Sequence, residues 1–272
     1  MGKFSGYLIA SDIDGTFVGT SGETQGNVQA IKYFTENGGK FTFATGRLAS
    51  HLLENDMASL INAPACLANG AAVYDYSEKK LLMANPLEYT LGEFIENAVP
   101  LFENATSISF FTKADLLGKA VNTGRTMLSA EDVSRAGEII PDLLNERMLK
   151  IIVRHKCAED AIVFKKRAAE SPFFNKTFIS RAWSIGVEFN SPIGTKGAAL
   201  SFIKSILPDV HTTVGIGDYE NDATLLQSAD IAAAVEGAVP ELFEYADILV
   251  TNANGQAIAD LISKLEKRIG CN

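Results

Sequence analysis

The stretch "ASDIDGTFV", residues 10–18, follows the apolar segment "YLI" and carries two acids, Asp12 and Asp14, one residue apart. On a continuing strand both carboxylates would point to the same face and repel each other beside a hydrophobic core. If the strand ends before Asp12, Gly15 lets the backbone turn closely around a bound group. In open parallel sheets ligands bind beyond the carboxyl ends of the strands, which is where these acids would then stand. An Asp-rich turn also has a plainer reading, because D-x-D-G suits any loop. The rest of the chain has to decide.

Outward from that stretch, strands alternate with helices. "GYLIA" reads as a buried strand, and 24–36 as a helix with Val28, Ile31 and Phe34 at helical spacing, stopped at Gly38-Gly39. "KFTFAT" reads as a strand, 47–60 as a helix and "ACLA" as a strand. The alternation returns near the end: a helix from 195, strand "TTVGI", a helix from 220, strand "DIAAAV", a helix from 239, strand "DILV" and a helix to 268. This pattern predicts a parallel sheet covered on both faces. The middle differs. It reads as helix 91–103, strand "TSISFF", turns around Asn122–Arg125, helix 130–145, strand "LKIIV", helix 158–170, and strands near 176–181 and 184–189. The expected fold class is therefore α/β: a doubly wound parallel-sheet core made from 1–85 and 187–272, with an α+β unit, 86–186, inserted between them.

Composition sets the surroundings. The 272 residues are 47% hydrophobic and 21% charged, ordinary for a soluble chain of ~2 domains. A net charge of −9 disfavours nucleic acid as a partner, although local positive charge or a metal still permits a small anionic substrate. Cys66, Cys157 and Cys271 are far apart and form no ligand pattern, which fits a reducing cytoplasm. The start of the chain is wrongly flanked for a signal peptide. The apolar run "ADIAAAVEGAV" is broken by Asp230 and Glu236, so no membrane partner is expected.

Three further stretches add chemistry. "FATGR" puts the Thr45 hydroxyl and the Gly46 amide at the end of the second strand. "SPIGTKGAAL" places Lys196 in the first turn of a helix, where the dipole disfavours a cation unless an anion lies nearby. "VGIGDYENDATLL" packs Asp218, Glu220, Asn221 and Asp222 into five residues. Helix capping accounts for Glu220 and in part for Asp222, but not for Asp218 between its glycine-rich strand and the turn. Together these are carboxylates for a hard cation such as Mg²⁺ and donors for a phosphate.

"DIDGT", "TGR", "NGA", a lysine opening a late helix, and "GDxxND" together resemble the motifs of the haloacid-dehalogenase-like phosphatases, closest to the Cof-type or IIB subgroup with its large α+β cap. The resemblance covers nearly the whole chain. Tyr219 and Glu220, and the Phe17-Val18 ending of the first motif, depart from the commonest pattern. The resemblance implies that Asp12 is the nucleophile and Asp14 the general acid/base, with Asp12, Asp14 (through its carbonyl), Asp218 and Asp222 around Mg²⁺. Ile13, Gly15, Thr45 and Gly46 would bind phosphoryl oxygens, Lys196 would stabilise their charge, and Asn221 would position Lys196 or the phosphate. It further implies hydrolysis of a small phosphomonoester, such as a sugar phosphate, through an aspartyl phosphate, by a monomer or small homo-oligomer. A sugar phosphomutase is the enzymatic alternative. A receiver-like phospho-Asp signalling module is the non-enzyme one, against which Asp14 and the large insertion speak. His51, His155 and His211 follow no ligand spacing, Trp183 reads as packing, Arg181 as surface, and Asn69 as either cleft or turn.

Overall fold

The computed structural model describes residues 2–22, 24–102, 104–113 and 127–270. Five strands, β1 (Tyr7–Ser11), β2 (Lys40–Phe43), β11 (Thr212–Gly217), β12 (Ile231–Val235) and β13 (Ile248–Val250), form a sheet in the order β13-β12-β11-β1-β2. Every pairing in it is parallel. Side chains alternate between two buried faces, as a sheet covered on both sides requires. Ile9, Phe41, Phe43, Val214 and Ile216 pack towards helices α1 (Gln25–Glu36) and α8 (Ala257–Gly270). Leu8, Ala10, Ala232 and Ala234 pack on the other side, towards α6 (Lys196–Ile206) and α7 (Ala223–Ser228). The first strand lies between β2 and β11, so the segments after all three emerge along one edge.

"ACLA" joins a different sheet from the one expected. Strand β3 (Ala65–Leu67) pairs antiparallel with β4 (Ala72–Asp75), and β4 with β5 (Lys80–Ala84). Its tie to the main sheet is a single bridge, Ala44 to Cys66. The cause is local: Ala68, Asn69 and Gly70 all have positive φ and fold the chain back on itself at once.

Several expected helices are shorter. The 47–60 helix is α2 (Ala49–Glu54) followed by a 3₁₀ turn (Met57–Leu60), divided at Asp56 with φ 55°. Helix 91–103 is α3 (Leu91–Ala98) with a 3₁₀ turn at Pro100. The 130–145 helix breaks into 3₁₀ turns around the four-residue α4 (Ala136–Ile139), interrupted by Pro141. From 239 there is only a 3₁₀ turn, Pro240–Glu244. The expected turns at Asn122–Arg125, and Cys271, lie outside the described residues.

The inserted unit has its own antiparallel sheet. Its strands β6 (Ala105–Phe111), β7 (Met127–Ser129), β8 (Lys150–His155), β9 (Phe178–Trp183) and β10 (Gly186–Asn190) run in the order β7-β6-β8-β10-β9, so the inserted sheet extends to Asn190, past the boundary expected at 186. One face carries Ile108, Phe110, Ile151, Val153, Val187 and Phe189, buried with Phe94 of α3 and Phe164 of α5 (Ala158–Glu170). Cross-strand register puts Phe111 opposite Lys150, Ser109 and Glu188 opposite Ile152, and Ser107 opposite Arg154. These residues form the other face, which meets the edge of the main sheet. No described helix is long and apolar enough to cross a membrane.

Candidate active site

At the end of β1 the Asp12 amide still donates to the Ile216 carbonyl (3.0 Å), extending the pairing with β11 by one residue. The chain then turns tightly, with the Val18 amide on the Ile13 carbonyl (2.8 Å) and the Gly15 amide on the Val18 carbonyl (2.9 Å). Gly15 has φ 86°, and a Cβ there would stand 2.3 Å from Asp218 Oδ2, so both the backbone and the neighbour demand glycine. The turn separates the two acids of the first motif: Asp12 is buried and Asp14 is exposed.

Lys196 opens α6, where the Thr195 hydroxyl caps the helix by accepting from the Ala198 amide (3.2 Å). Its side chain is fully buried, and Nζ donates to Asp12 Oδ1 (2.7 Å) and Asp222 Oδ1 (2.6 Å). Burial works against the ammonium, but Asp12 and then Asp222 outweigh it and hold the Lys196 pKa above its ordinary value. Gly70 fits against this helix start, since a Cβ there would lie 2.0 Å from the Thr195 carbonyl oxygen.

The other oxygen of Asp222 accepts the amides of Asp218 and Tyr219, both at 3.1 Å, and Asp218 Oδ1 accepts the Thr16 hydroxyl (2.8 Å). Carboxylate oxygens of Asp12, Asp218 and Asp222 lie within 4.8 Å of one another. Burial, and after it the charge of Asp222, push the Asp218 pKa up to about 7. Burial also raises Asp12, opposed by Lys196. Three carboxylates facing one ammonium carry excess negative charge when ionised, and every donor is oxygen. That donor set fits a small hard cation such as Mg²⁺.

Asp14 does not join the cluster with its carboxylate. Arg47 holds it as a two-point ion pair, with Nε donating to Oδ2 at 2.8 Å and Nη2 to Oδ1. Thr45, buried after β2, accepts the Arg47 amide on its hydroxyl (3.2 Å). Gly46 follows it, and its carbonyl accepts Lys150 Nζ from the inserted sheet (2.7 Å). Asp12, Asp14, Thr45 and Gly46 line a cavity of about 620 Å³ whose opposite wall includes Phe111, Lys150, Ile152, Arg154, Trp183 and Glu188.

Some expectations need correction. The Gly15 amide is taken by Val18, so the amides of Ile13 and Gly46 remain from the expected phosphoryl donors. Asn221 does not hold Lys196, because the 3₁₀ turn Glu220–Asp222 presents Asp222 to it instead. Asn221 Nδ2 donates to Asn69 Oδ1 (3.2 Å), and Asn69 Nδ2 donates to Glu188, which also accepts Lys150 Nζ (3.0 Å). Trp183 and His51 line the cavity rather than only packing or facing solvent. Arg181 is not a free surface residue: with Lys165 it grips Glu220, Nη2 at 2.6 Å and Lys165 Nζ at 2.5 Å.

A sequence profile described as haloacid dehalogenase-like hydrolase matches residues 9–262. The chain belongs to this family. A Streptococcus pyogenes protein provisionally named a phosphatase is 24% identical over 266 residues, which is 94% of this chain and 97% of that one. A phosphoglycolate phosphatase of Sulfurisphaera tokodaii is 37% identical over 83 residues, 28% of this chain and 37% of its own. Among solved structures, a subclass IIB sugar phosphatase of the family superposes with TM-score 0.72 at 17% identity, covering 95% of this chain and 98% of the other. A haloacid dehalogenase-like hydrolase from B. subtilis gives 0.72 at 19%, covering 95% and 99%. The fold, with its inserted cap, is therefore that of haloacid dehalogenase-like hydrolases.

The residues that the sequence reading passed over come mainly from the cap. Lys150, Ile152 and Arg154 alternate along "LKIIVRH" with buried Leu149, Ile151 and Val153, and Glu188 sits amid the buried strand "GVEFN". A period of two with charges on one face was the available signal. Arg47 stood inside the quoted "FATGR" and received no role.

Proposed function

We propose that this hydrolase is a Mg²⁺-dependent phosphatase of small phosphomonoesters, sugar phosphates or related metabolites, working through an aspartyl phosphate on Asp12 in a cytoplasmic setting. The observation that carries the reading is Lys196, fully buried between Asp12 and Asp222 beside the carboxylate of Asp218. An ammonium taken out of water needs anions around it, and this one sits where a phosphoryl group reaching Asp12 would add its own negative charge. The names of the full-length Streptococcus relative and of the IIB structural neighbour support the same reading.

An oxygen of Asp12 attacks phosphorus in line, and the bond from phosphorus to the ester oxygen breaks as Asp14 gives that oxygen a proton. Water then attacks the phosphorus of the aspartyl phosphate while Asp14 takes a proton from it, releasing inorganic phosphate and restoring Asp12. The two-point contact with Arg47 turns the Asp14 carboxylate away from the acid cluster. For the first step Asp14 must leave Arg47 carrying a proton. Lys196, the Thr45 hydroxyl and the amides of Ile13 and Gly46 balance the phosphoryl oxygens. Asp12, Asp218 and the Asp14 carbonyl would hold Mg²⁺, with Asp222 behind them fixing Lys196 and the 218–219 turn. The cation would supply charge neutralisation that lets a carboxylate approach a phosphate dianion.

The test is phosphate release from a panel of phosphorylated metabolites with Mg²⁺, using Asp12→Asn as the control. We expect turnover that EDTA removes and Mg²⁺ restores, with Ca²⁺ a poor substitute because its looser coordination misaligns an in-line attack. Full activity after exhaustive chelation overturns the metal assignment. An isomerised sugar phosphate in place of free phosphate overturns hydrolysis.

A further inference from the structure

We infer that Arg154 is a specificity-determining residue that receives a second anionic group, a carboxylate or a second phosphoryl group, on the leaving portion of the substrate. This rests on the phosphatase reading above and deepens it.

The cations around the cavity are not all matched by carboxylates. Four strong cations line it or meet its floor: Arg47, Lys150, Arg154 and Lys196. Three of them are matched by carboxylates: Arg47 by Asp14, Lys150 by Glu188, and Lys196 by Asp12 and Asp222. Among the described residues Arg154 makes no ion pair, although Glu54 also lines the cavity. It is nevertheless held in place. Its Nη1 donates to the Ser109 hydroxyl (2.7 Å) and approaches Met127 Sδ (3.7 Å), and its guanidinium lies 5.6 Å from the Trp183 ring centroid. Among the described residues those contacts use Nη1 and one face of the group, leaving the Nε and Nη2 edge, the fork that matches a carboxylate or phosphate in two-point fashion. A half-buried guanidinium fixed by a hydroxyl and an indole has already lost most of the freedom that binding would cost.

Position along the sheet says which part of the substrate it would meet. Lys150 touches the Gly46 carbonyl and so marks the phosphoryl end of the cavity. Arg154 lies four residues further along the same strand and face, about 13 Å away at ~3.3 Å per residue. The reacting phosphoryl group therefore falls to Lys196 and the motif loops, and Arg154 is left for the far end. Trp183 beside Arg154 and Ile152 between the two cations supply apolar wall towards that end, suited to the carbon faces of a small sugar or polyol, while Phe111 stands beside Lys150.

The experiment compares kcat/KM for matched pairs: a hexose phosphate against the corresponding phosphorylated sugar acid, and against the corresponding bisphosphate. The wild-type protein should prefer at least one anionic partner by ~10-fold or more, a preference that shrinks as salt is raised. In Arg154→Met the anionic-to-neutral ratio should fall by ~10-fold or more, and Arg154→Lys should restore part of it. Which anionic partner is preferred separates carboxylate from phosphoryl recognition. A wild-type ratio near one, or a ratio unchanged in Arg154→Met with turnover retained, overturns the inference and leaves the phosphatase reading standing. No phosphate release from any member of the set overturns both. Should Arg154→Met fail to fold, the wild-type ratio and its salt dependence still decide.

Discussion

Asp12 and Asp14 are neighbours but one, yet one carboxylate is buried against an ammonium and the other is exposed against a guanidinium. The two environments fit the two roles proposed for them. Asp12→Asn should lower phosphate release by roughly 10⁴-fold or more, as loss of a nucleophile does in other covalent mechanisms. Asp14→Asn should cost most with alkyl phosphates, whose leaving oxygen needs a proton, and least with aryl phosphates. Equal losses on the two substrate types would remove the proton-transfer role. Asp218 carries a pH consequence. Its folded pKa of about 7 exceeds that of an unfolded aspartate, so the metal-free folded protein binds the extra proton between the two values. The stability contributed by that proton is therefore complete at low pH and is lost as pH rises towards 7. Mg²⁺ bound as proposed would compete with the same proton. The rise in melting temperature on adding Mg²⁺ should be clearly larger at pH 8 than at pH 5.5, and an equal rise at both would contradict Asp218 as a ligand.

Among the elements, the inserted strands matter most for what the sequence hid. The acids at 12 and 218 and the lysine at 196 were legible because each was misplaced on local grounds: repelling charges at a strand end, a cation at a helix N-terminus. The parallel strands were legible because both faces are apolar. The β4–β5 hairpin was not, since its turn at Tyr76–Lys79 carries no Asn-Gly signal and "AVYD" was not read as strand. The roles of Lys150 and Glu188 were hidden for another reason: their partners, Gly46 and Asn69, are over a hundred residues away in the other layer, and only docking brings them together. With side-chain exposures of 4% and 1%, this pair gives a stability test. Glu188→Leu leaves an ammonium buried without its carboxylate and should cost ~3–5 kcal/mol, whereas Lys150→Met with Glu188→Leu together should cost much less. Denaturant midpoints of the two singles and the double would check it, and additive losses would show that the pair is not coupled.

Across the whole molecule, core and cap are clasped at Glu220, which accepts from Lys165 of α5 and Arg181 of β9. The 620 Å³ cavity beneath the cap has room for a metabolite and not for a folded domain. Intact phosphoproteins should therefore be dephosphorylated far more slowly than sugar phosphates, a comparison that phosphate release reads directly. Glu220→Gln should loosen the clasp and raise KM for sugar phosphates by ~3–10-fold, with little effect on phosphorylation of Asp12 by acetyl phosphate, which needs no cap contact. An unchanged KM would make the clasp incidental. The pairing of β1 with β11, Tyr7 beside Thr212, has one more consequence. On the ribosome the first strand must wait for about two hundred further residues before its neighbour exists. At ~5–20 residues per second that is roughly 10–40 s. The cap, contiguous in sequence between the two halves of the core, can fold within that interval. Throughout it β1 keeps Leu8 and Ile9 without the neighbour they have in the finished sheet, so newborn chains should be vulnerable to association and proteolysis at this strand, and a truncation before β11 would leave Asp12 synthesised without the strand that its amide pairs with.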